Sequence, residues 1–440
     1  MKDRKIFILF FLAALLVLVG LVGCNQIIEP TYESAIEAVA SDYLVNPPRY
    51  IDDEDDTNNY EYADPDIDPT RWSNEELSLF IDNLLTKGDM FIPENGFWGT
   101  TLVMRGDDII IYKAYGLACA EQNIANTLDT PFDIASITKQ ITGAAIIQLV
   151  ADGSLRPDDT LDMFFPAHDG LANVTVTHLL AMRGGFGNYI YNLSPILSSE
   201  ENSLLLFQEL IDSLPEEDAL LVLDRLQAKP DDNLLEVLWK FQELESIHTF
   251  IMNFIENLIL TNWNGETLNY FSYSNSDYWL LGRIIEQASG MTYKEFITTR
   301  IFEPIGMQNS GFNNLSNQAI GHDTNRNTLG RVPFAMGYSS GGLTSTVGDL
   351  NLWLDAYFGG KLFPEVMLEQ VFVGNYNCGW MFINESIWWH GGSRAGFLHN
   401  MLVYDRDNDI RMIILSNQGN RQTQRIYHEI SSRVFNRMIF

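Results

Sequence analysis

Cysteine is scarce in this chain of 440 residues, which has three copies, at Cys24, Cys119 and Cys378. Three cysteines are too few for a network of disulfides, and no Cys/His group has the spacing of a zinc site. Cys119 and Cys378 lie among apolar or aromatic neighbours, which favours buried packing residues over catalytic thiols. The sequence therefore predicts neither a disulfide-stapled fold nor a metal centre.

Positive charge is also scarce, since 27 Lys and Arg residues face 58 Asp and Glu residues, for a net charge of −31. Such an acidic surface has little to neutralise phosphates, which argues against a nucleic-acid partner. The acidic residues are concentrated between Glu29 and Asp68, where basic residues are few. A cation site is one reading, but the acids lack EF-hand spacing. We predict a disordered acidic tether over residues 24–71.

The first residues have the order of a secretory signal, because Lys2, Arg4 and Lys5 precede an unbroken apolar run, Ile6–Val22. This run ends in Leu-Val-Gly-Cys at Cys24, which resembles the lipobox of bacterial lipoproteins. The resemblance implies a signal peptide over residues 1–23, lipidation of Cys24, and a protein anchored to the extracytoplasmic face of the cell membrane. The alternative is a plain membrane helix, although the run is shorter than the ~20 residues that a span needs.

Regular structure is expected from Trp72 onwards, in a single domain over residues 72–440. Hydrophobic periodicity and turn signals predict helices over 74–85, 136–150 and 197–260 and near the C-terminus, and strands over 98–105, 109–116, 378–383, 397–404 and 410–416. Strands at both ends around a helical middle imply an α/β lobe assembled from both termini, with a helical lobe inserted at about 160–330.

The first candidate for chemistry is the pair Ser136 and Lys139. Positions three apart on a helix share a face, so a lysine there could take the proton of the serine hydroxyl if burial favours its neutral form. Backbone N–H groups in the first turn of the helix could stabilise an oxyanion. A capping serine with a solvated lysine gives the same pattern, so the pair is weak by itself.

Two more polar groups follow in the chain. Tyr273 and Asn275 are two positions apart in an extended segment, so both could face one pocket. His390 comes next, followed by Gly391 and Gly392, and paired glycines beside a strand let a ligand approach the backbone closely. Each group alone is also compatible with a purely structural role.

The ordered set Ser-x-x-Lys, Tyr-x-Asn and His-Gly-Gly resembles the serine β-lactamase and penicillin-binding protein superfamily. The tyrosine is typical of its class C β-lactamase branch, with esterase and D,D-peptidase relatives. Further similarity lies in Val176–Leu180 and in Gly341–Thr346, and the resemblance runs from Trp98 to the end. It implies a β-lactamase/transpeptidase-like α/β (α+β) fold, with an antiparallel sheet flanked by helices and an inserted all-helical lobe.

The resemblance also implies a role for each motif residue. Ser136 is acylated after Lys139 activates it. Tyr273 protonates the leaving group and assists deacylation, and Asn275 contacts the substrate amide. The backbone N–H groups of Ser136 and Ser393 form the oxyanion hole, and His390, Gly391 and Gly392 line the substrate site. Neither a metal nor an organic cofactor is expected.

Three departures from the family pattern bear on the substrate. His390 and Gly391 stand where β-lactamases have a lysine and a hydroxyl residue that bind the substrate carboxylate. Arg394 could supply the missing charge, but a surface position is favoured. The loop 181–185 lacks the usual Thr-Ser, and 197–260 reads as an enlarged insertion over the cleft. These departures weigh against efficient hydrolysis of β-lactams.

The sequence therefore predicts an extracytoplasmic serine hydrolase acting through an acyl-enzyme on esters, amides or D-amino-acid peptides, including cell-wall-derived ones. The alternatives are a true β-lactamase and an inactive penicillin-binding-protein-like sensor of cell-wall fragments. Because a neutral histidine replaces lysine, neutral substrates should be preferred over carboxylates. Mild acid should narrow that preference as His390 gains charge.

Overall fold

The computed structural model describes residues 72–87, 96–198, 200–228, 234–313, 315, 317–371, 376–419 and 422–435. The predicted signal peptide, the predicted lipidation site Cys24 and the predicted acidic tether lie outside these residues. In the described part of the chain, no helix is long and apolar enough to cross a membrane.

A seven-stranded antiparallel sheet is the centre of the structure, with the strand order β2-β1-β11-β10-β9-β8-β7. In chain order the strands are β1 (Gly99–Arg105), β2 (Asp108–Tyr115), β3 (Leu117–Cys119), β4 (Ile124–Ala125), β5 (Phe132–Asp133), β6 (Thr344–Ser345), β7 (Tyr376–Asn377), β8 (Trp380–Phe382), β9 (Ile387–Arg394), β10 (Phe397–Asp405) and β11 (Ile410–Ser416). Strands β3 and β4 pair with each other, as do β5 and β6.

The expected assembly of the sheet from both ends of the chain is confirmed. Gly99 on β1 is paired with Tyr115 on β2 and with Ser416 on β11, so the first hairpin lies beside the last strands. Strand β9 was not among the predicted strands. Buried and partly buried positions alternate from Trp388 to Ser393, but Gly391 and Gly392 are poor strand formers, which weakens the strand signal in the sequence.

Fifteen helices are described around this sheet. They are α1 (Asn74–Lys87), α2 (Thr138–Ala151), α3 (Val176–Leu180), α4 (Tyr189–Ser198), α5 (Glu200–Ser213), α6 (Glu216–Ala228), α7 (Leu234–Lys240), α8 (Glu245–Thr261), α9 (Asn275–Ser289), α10 (Tyr293–Ile297), α11 (Glu303–Ile305), α12 (Phe334–Gly341), α13 (Val347–Phe358), α14 (Val366–Val371) and α15 (Gln422–Phe435). The expected helical character of 197–260 is confirmed by α5 to α8.

Both faces of the sheet are covered by helices, so alternate strand residues enter two different cores. Val103 and Met412 pack in a core with residues of α1 and α15. Leu102 and Ile413 face the other way, into a larger core that includes Ile141 of α2. The 3₁₀ turn over Ala135–Ile137, which contains Ser136 and leads into α2, contacts the strand that carries His390.

Candidate active site

The segment that precedes Ser136 is held in an unusual backbone conformation. Ile134 donates its N–H to the carbonyl of Leu343 at 3.0 Å, and Ala135 then has a φ of 44°. A left-handed conformation at an alanine costs about 1–2 kcal/mol. A 3₁₀ turn over Ala135–Ile137 leads into α2, and Ser136 is left half-buried in this turn. The expected helix thus begins with a tight turn at the serine.

Lys139 lies one turn after the serine and is completely buried. Its Nζ is 3.0 Å from Ser136 Oγ, 2.7 Å from Asn275 Oδ1 and 2.6 Å from the carbonyl oxygen of Ser340. Burial lowers the pKa of Lys139 well below its usual value. A neutral amine can donate to Asn275 and Ser340 and keep its lone pair for the Ser136 hydroxyl. The pair can therefore act as nucleophile and base.

Tyr273 and Asn275 both reach this lysine, so the structure brings the first two motifs together. The Tyr273 ring centroid is 5.1 Å from Lys139 Nζ. Ser274 caps α9 by accepting the N–H of Asp277 at 3.1 Å, which sets Asn275 at the first position of the helix. Asn275 donates its amide N–H to Asn188 Oδ1 at 3.2 Å. Its contact with a substrate amide stays a prediction.

His390 lies on β9 with 1% of its surface exposed. Its Nδ1 is 2.5 Å from the carbonyl oxygen of Gly391, and its Nε2 is 3.3 Å from the hydroxyl of Tyr376. A neutral ring that donates from Nδ1 and accepts at Nε2 fits both partners. Burial, reinforced by Lys139 whenever that lysine is protonated, lowers the pKa of His390 to about 3. The expectation that mild acid charges this histidine is therefore wrong.

The two glycines after His390 have different surroundings. A Cβ at Gly392 would lie 2.1 Å from the carbonyl oxygen of Ile134 and 3.3 Å from the backbone nitrogen of Ser136, whereas a Cβ at Gly391 would meet Met401 at 3.5 Å. Gly392 therefore lets β9 touch the nucleophile segment. This contact brings the strand that carries Ser393 against Ser136, although their oxyanion-hole role stays a prediction.

Arg394 pairs with the carboxylate of Asp133, and 20% of its side chain is exposed against 1% for Asp133. The favoured surface position is therefore wrong. Replacement of the missing lysine by Arg394 stays a prediction, and the bond of the guanidinium to an internal carboxylate weighs against it. Burial raises the pKa of Asp133, and the Arg394 charge opposes this rise.

Several residues of the site were not found from the sequence. Asn188, Ser340 and Tyr376 belong to no motif, and only the folded chain brings them to Asn275, Lys139 and His390. Asp133 did carry a signal, because it is a charged residue inside the otherwise apolar stretch 132–135. Within the described ranges, no group of three or more His, Cys, Asp or Glu side chains could hold a metal ion.

Curated proteins with a similar sequence include penicillin-binding proteins. Penicillin-binding protein 4* of Bacillus subtilis (strain 168) is 27% identical over 234 residues, which make up 51% of this chain and 41% of that protein. The chain spans 41–60% of the length of the first curated relatives that it matches.

Solved structures share the fold at low identity. D-amino acid amidase from Ochrobactrum anthropi SV3, complexed with L-phenylalanine, has a TM-score of 0.60 at 19% identity and covers 82% of this chain and 98% of its own. FmtA from Staphylococcus aureus has a TM-score of 0.59 at 17% identity, and the match covers 82% of this chain and 89% of the FmtA chain. Both likenesses concern the fold alone.

The protein-family model described as Beta-lactamase matches residues 99–433. This range contains every motif residue from Ser136 to Ser393 and well over half of the chain. The expected β-lactamase/transpeptidase-like fold, with its antiparallel sheet, flanking helices and helical lobe, is confirmed. The chain belongs to the beta-lactamase family and has penicillin-binding-protein-like relatives.

Proposed function

We propose that this chain is an extracytoplasmic serine hydrolase that works through an acyl-enzyme on Ser136. The observation that carries the proposal is the contact between the buried Lys139 Nζ and Ser136 Oγ, at 3.0 Å. A protein that only binds its ligand does not require a buried, desolvated lysine beside a half-buried serine. A base with a lowered pKa in that position is what a serine nucleophile requires.

The reaction follows from the positions of these groups. Lys139 takes the proton of Ser136 as Oγ forms a bond to the substrate carbonyl carbon, whose π electrons move to the oxygen. The backbone N–H groups of Ser136 and Ser393 stabilise that oxyanion. Tyr273 passes a proton to the departing alcohol or amine, which leaves an ester on Ser136. Water then attacks this ester as Tyr273 takes its proton, the bond between Ser136 Oγ and the acyl carbon breaks to release the acid, and Lys139 returns its proton to Oγ.

We propose neutral esters, amides and D-amino-acid peptides as substrates, including cell-wall-derived peptides. Neither His390, which is neutral, nor Arg394, which is paired with Asp133, offers a free positive charge for a substrate carboxylate. The D-amino acid amidase neighbour, whose fold is shared, acts on amides by its name. We place the chain in the class C-like branch because its second motif begins with Tyr273.

Hydrolysis of a substrate panel tests the proposed function. We expect wild type to hydrolyse a neutral aryl ester and a D-amino-acid amide faster than a cephalosporin, and Ser136→Ala to be inactive on all three. Ser203→Ala is the control, because the Ser203 hydroxyl bonds the carbonyls of Ile196 and Leu197 in the helical lobe. Binding of the panel without turnover would indicate the inactive sensor, and the cephalosporin as best substrate would indicate a β-lactamase.

We also propose that the chain is anchored to the outer face of the membrane through lipidated Cys24. The support is the charged-then-apolar signal order that ends in Leu-Val-Gly-Cys. Mass spectrometry of the mature N-terminus should find a lipid on Cys24, and Cys24→Ser should lose it. An intact Met1 on the membrane-bound protein would favour the plain helical anchor.

A further inference from the structure

The Asp133–Arg394 ion pair connects the two segments that carry the oxyanion-hole donors. Asp133 lies three residues before Ser136, and Arg394 directly follows Ser393. The pair is nearly buried, with 1% of the Asp133 side chain and 20% of the Arg394 side chain exposed. Asp133 is thus close in the chain to the Ser136 N–H, and Arg394 is next to the Ser393 N–H. Their ion pair links the nucleophile segment to the end of β9.

Asp133 also makes bonds that fix the backbone around it. Its Oδ1 accepts the N–H of Ala135 at 3.0 Å, at the residue whose φ is 44°. Its carbonyl accepts the side-chain amide of Asn400 at 2.6 Å, and Asn400 Oδ1 accepts the N–H of Ser416 at 2.7 Å. The carboxylate therefore links the strained turn to β9, while its own backbone is fixed to β10 and β11.

We propose that Asp133 and Arg394 are positioning residues that fix the separation of the Ser136 and Ser393 backbone N–H groups in the oxyanion hole. This inference rests on the proposed acyl-enzyme function of Ser136. The pair does not touch the substrate in this role. It restrains the segment before Ser136 and the end of β9. These two segments also touch at Gly392, where the absence of a side chain allows close backbone contact.

A structural role alone would make a different prediction from a positioning role. A buried ion pair is weak evidence for stability, since removing both charges together is often neutral for the fold. The charge-assisted hydrogen bond from Arg394 to Asp133 is, however, strong, so it can hold the two segments at a defined separation. Donors of an oxyanion hole bind the transition state more tightly than the substrate, so their displacement lowers kcat and leaves KM largely unchanged.

The experiment compares wild type with Asp133→Asn/Arg394→Gln, in which both charges are removed and neither is left buried alone. Arg394→Lys retains the charge without the planar fork and serves as the conservative variant. The matched control is Asp355→Asn, which removes the ion pair with Arg411 near the start of β11, at the end opposite Ser416. The readouts are kcat and KM for a neutral ester, the affinity for a boronic acid that forms a tetrahedral adduct with serine, and Tm.

We expect the double variant to lose roughly tenfold to a hundredfold in kcat, since displacements near 1 Å have effects of that size. KM should stay within about twofold, and boronic-acid affinity should fall in parallel with kcat/KM. Arg394→Lys should lose less, and Asp355→Asn should retain wild-type kcat. If the double variant does not fold, the same comparison on Arg394→Lys decides the question.

The inference is overturned by a double variant that retains kcat within about twofold, by a rise in KM at constant kcat, or by unchanged boronic-acid affinity. Failure of the proposed function gives a distinct result, namely a wild type whose turnover survives in Ser136→Ala. The double variant therefore tests the positioning role, and Ser136→Ala tests the proposed function, in the same assay.

Discussion

At the scale of the residue, Lys139 is the group that activates Ser136 in the proposed mechanism. A buried ammonium would be satisfied by its three oxygen partners at 2.6–3.0 Å, yet its burial disfavours the charge. The neutral amine can retain two of those bonds and still accept the serine proton. The same contacts therefore hold the Lys139 side chain in place in both protonation states. A catalytic base needs this, because it gains and loses a proton in every turnover.

The pH dependence of kcat/KM should report the protonation of Lys139. Burial lowers the pKa of Lys139, so this lysine stays neutral at a lower pH than a free lysine does. The rate should fall as the pH drops through the pKa of Lys139. Lys139→Arg should lose at least about a hundredfold at neutral pH, because arginine stays protonated. The control is Lys113→Arg, at the exposed ion pair with Asp82. An active Lys139→Arg enzyme would refute the role.

Buried His390 should make the protein less stable in acid. Its pKa is about 3 when folded against 6.5 for a free histidine, so only the unfolded chain takes up this proton between those values. The free energy of unfolding therefore has its full value, as far as His390 is concerned, above pH 6.5. It falls by roughly 5 kcal/mol in total as the pH drops towards 3. Urea unfolding of wild type and His390→Gln from pH 7 to 4 measures it. Parallel profiles for the two proteins would contradict the neutral, buried histidine.

At the scale of the element, the site is assembled where β9 touches the turn before α2. The turn is fixed by β5, in which Asp133 pairs with Thr344 of β6, and by the N–H of Ile134 on the carbonyl of Leu343. Gly392 supplies the contact on the other side. The position of Ser136 is therefore set by two strands as well as by its own helix.

The two glycines of the third motif provide a matched test of this contact. Gly392→Ala places a Cβ 2.1 Å from the Ile134 carbonyl oxygen, so the backbone must shift, and kcat should fall roughly a hundredfold. Gly391→Ala meets Met401 at an ordinary 3.5 Å and should retain most activity. Steady-state kinetics on both variants checks this. Equal losses in the two would mean that the close approach at Gly392 is not what positions Ser136.

The elements predicted from the sequence are those with strong local signals. The hairpin β1–β2, the helix after Ser136 and the last two strands have clear periodicity or a turn between them. Strand β9 was missed because Gly391 and Gly392, a residue type that is depleted in strands, interrupt its pattern. The motif residues Ser136 and Lys139 follow from spacing along one helix. Asn188, Ser340 and Tyr376 do not, because only long-range packing brings them to the site.

At the scale of the whole molecule, the distribution of charge disfavours anionic substrates. The net charge of −31 repels anions diffusely, although salt screens this repulsion beyond about 8 Å. Close to Ser136, His390 is neutral and the Arg394 charge is bound to Asp133. Both the surface charge and the site thus agree with the proposed substrates, which lack a carboxylate.

A matched pair of substrates tests this selectivity. We expect kcat/KM to be about ten- to a hundredfold higher for a neutral ester than for the corresponding carboxylate, the value of one missing charge-assisted hydrogen bond. The ratio should stay constant between pH 7 and 5, because the pKa of His390 is about 3. A preference for the carboxylate would show that another cation has replaced the family lysine, and a ratio that narrows in mild acid would mean that His390 titrates there.

The central claim is that Ser136 becomes acylated with Lys139 as its base, and mass spectrometry of the trapped protein tests it most directly. Wild type treated with a fluorophosphonate or a slow ester should gain one adduct, mapped to the peptide that contains Ser136. Lys139→Ala should gain it at least about a hundredfold more slowly, and Ser136→Ala should gain none. Labelling that persists in Ser136→Ala, or that maps to another residue of the wild type, would contradict the account.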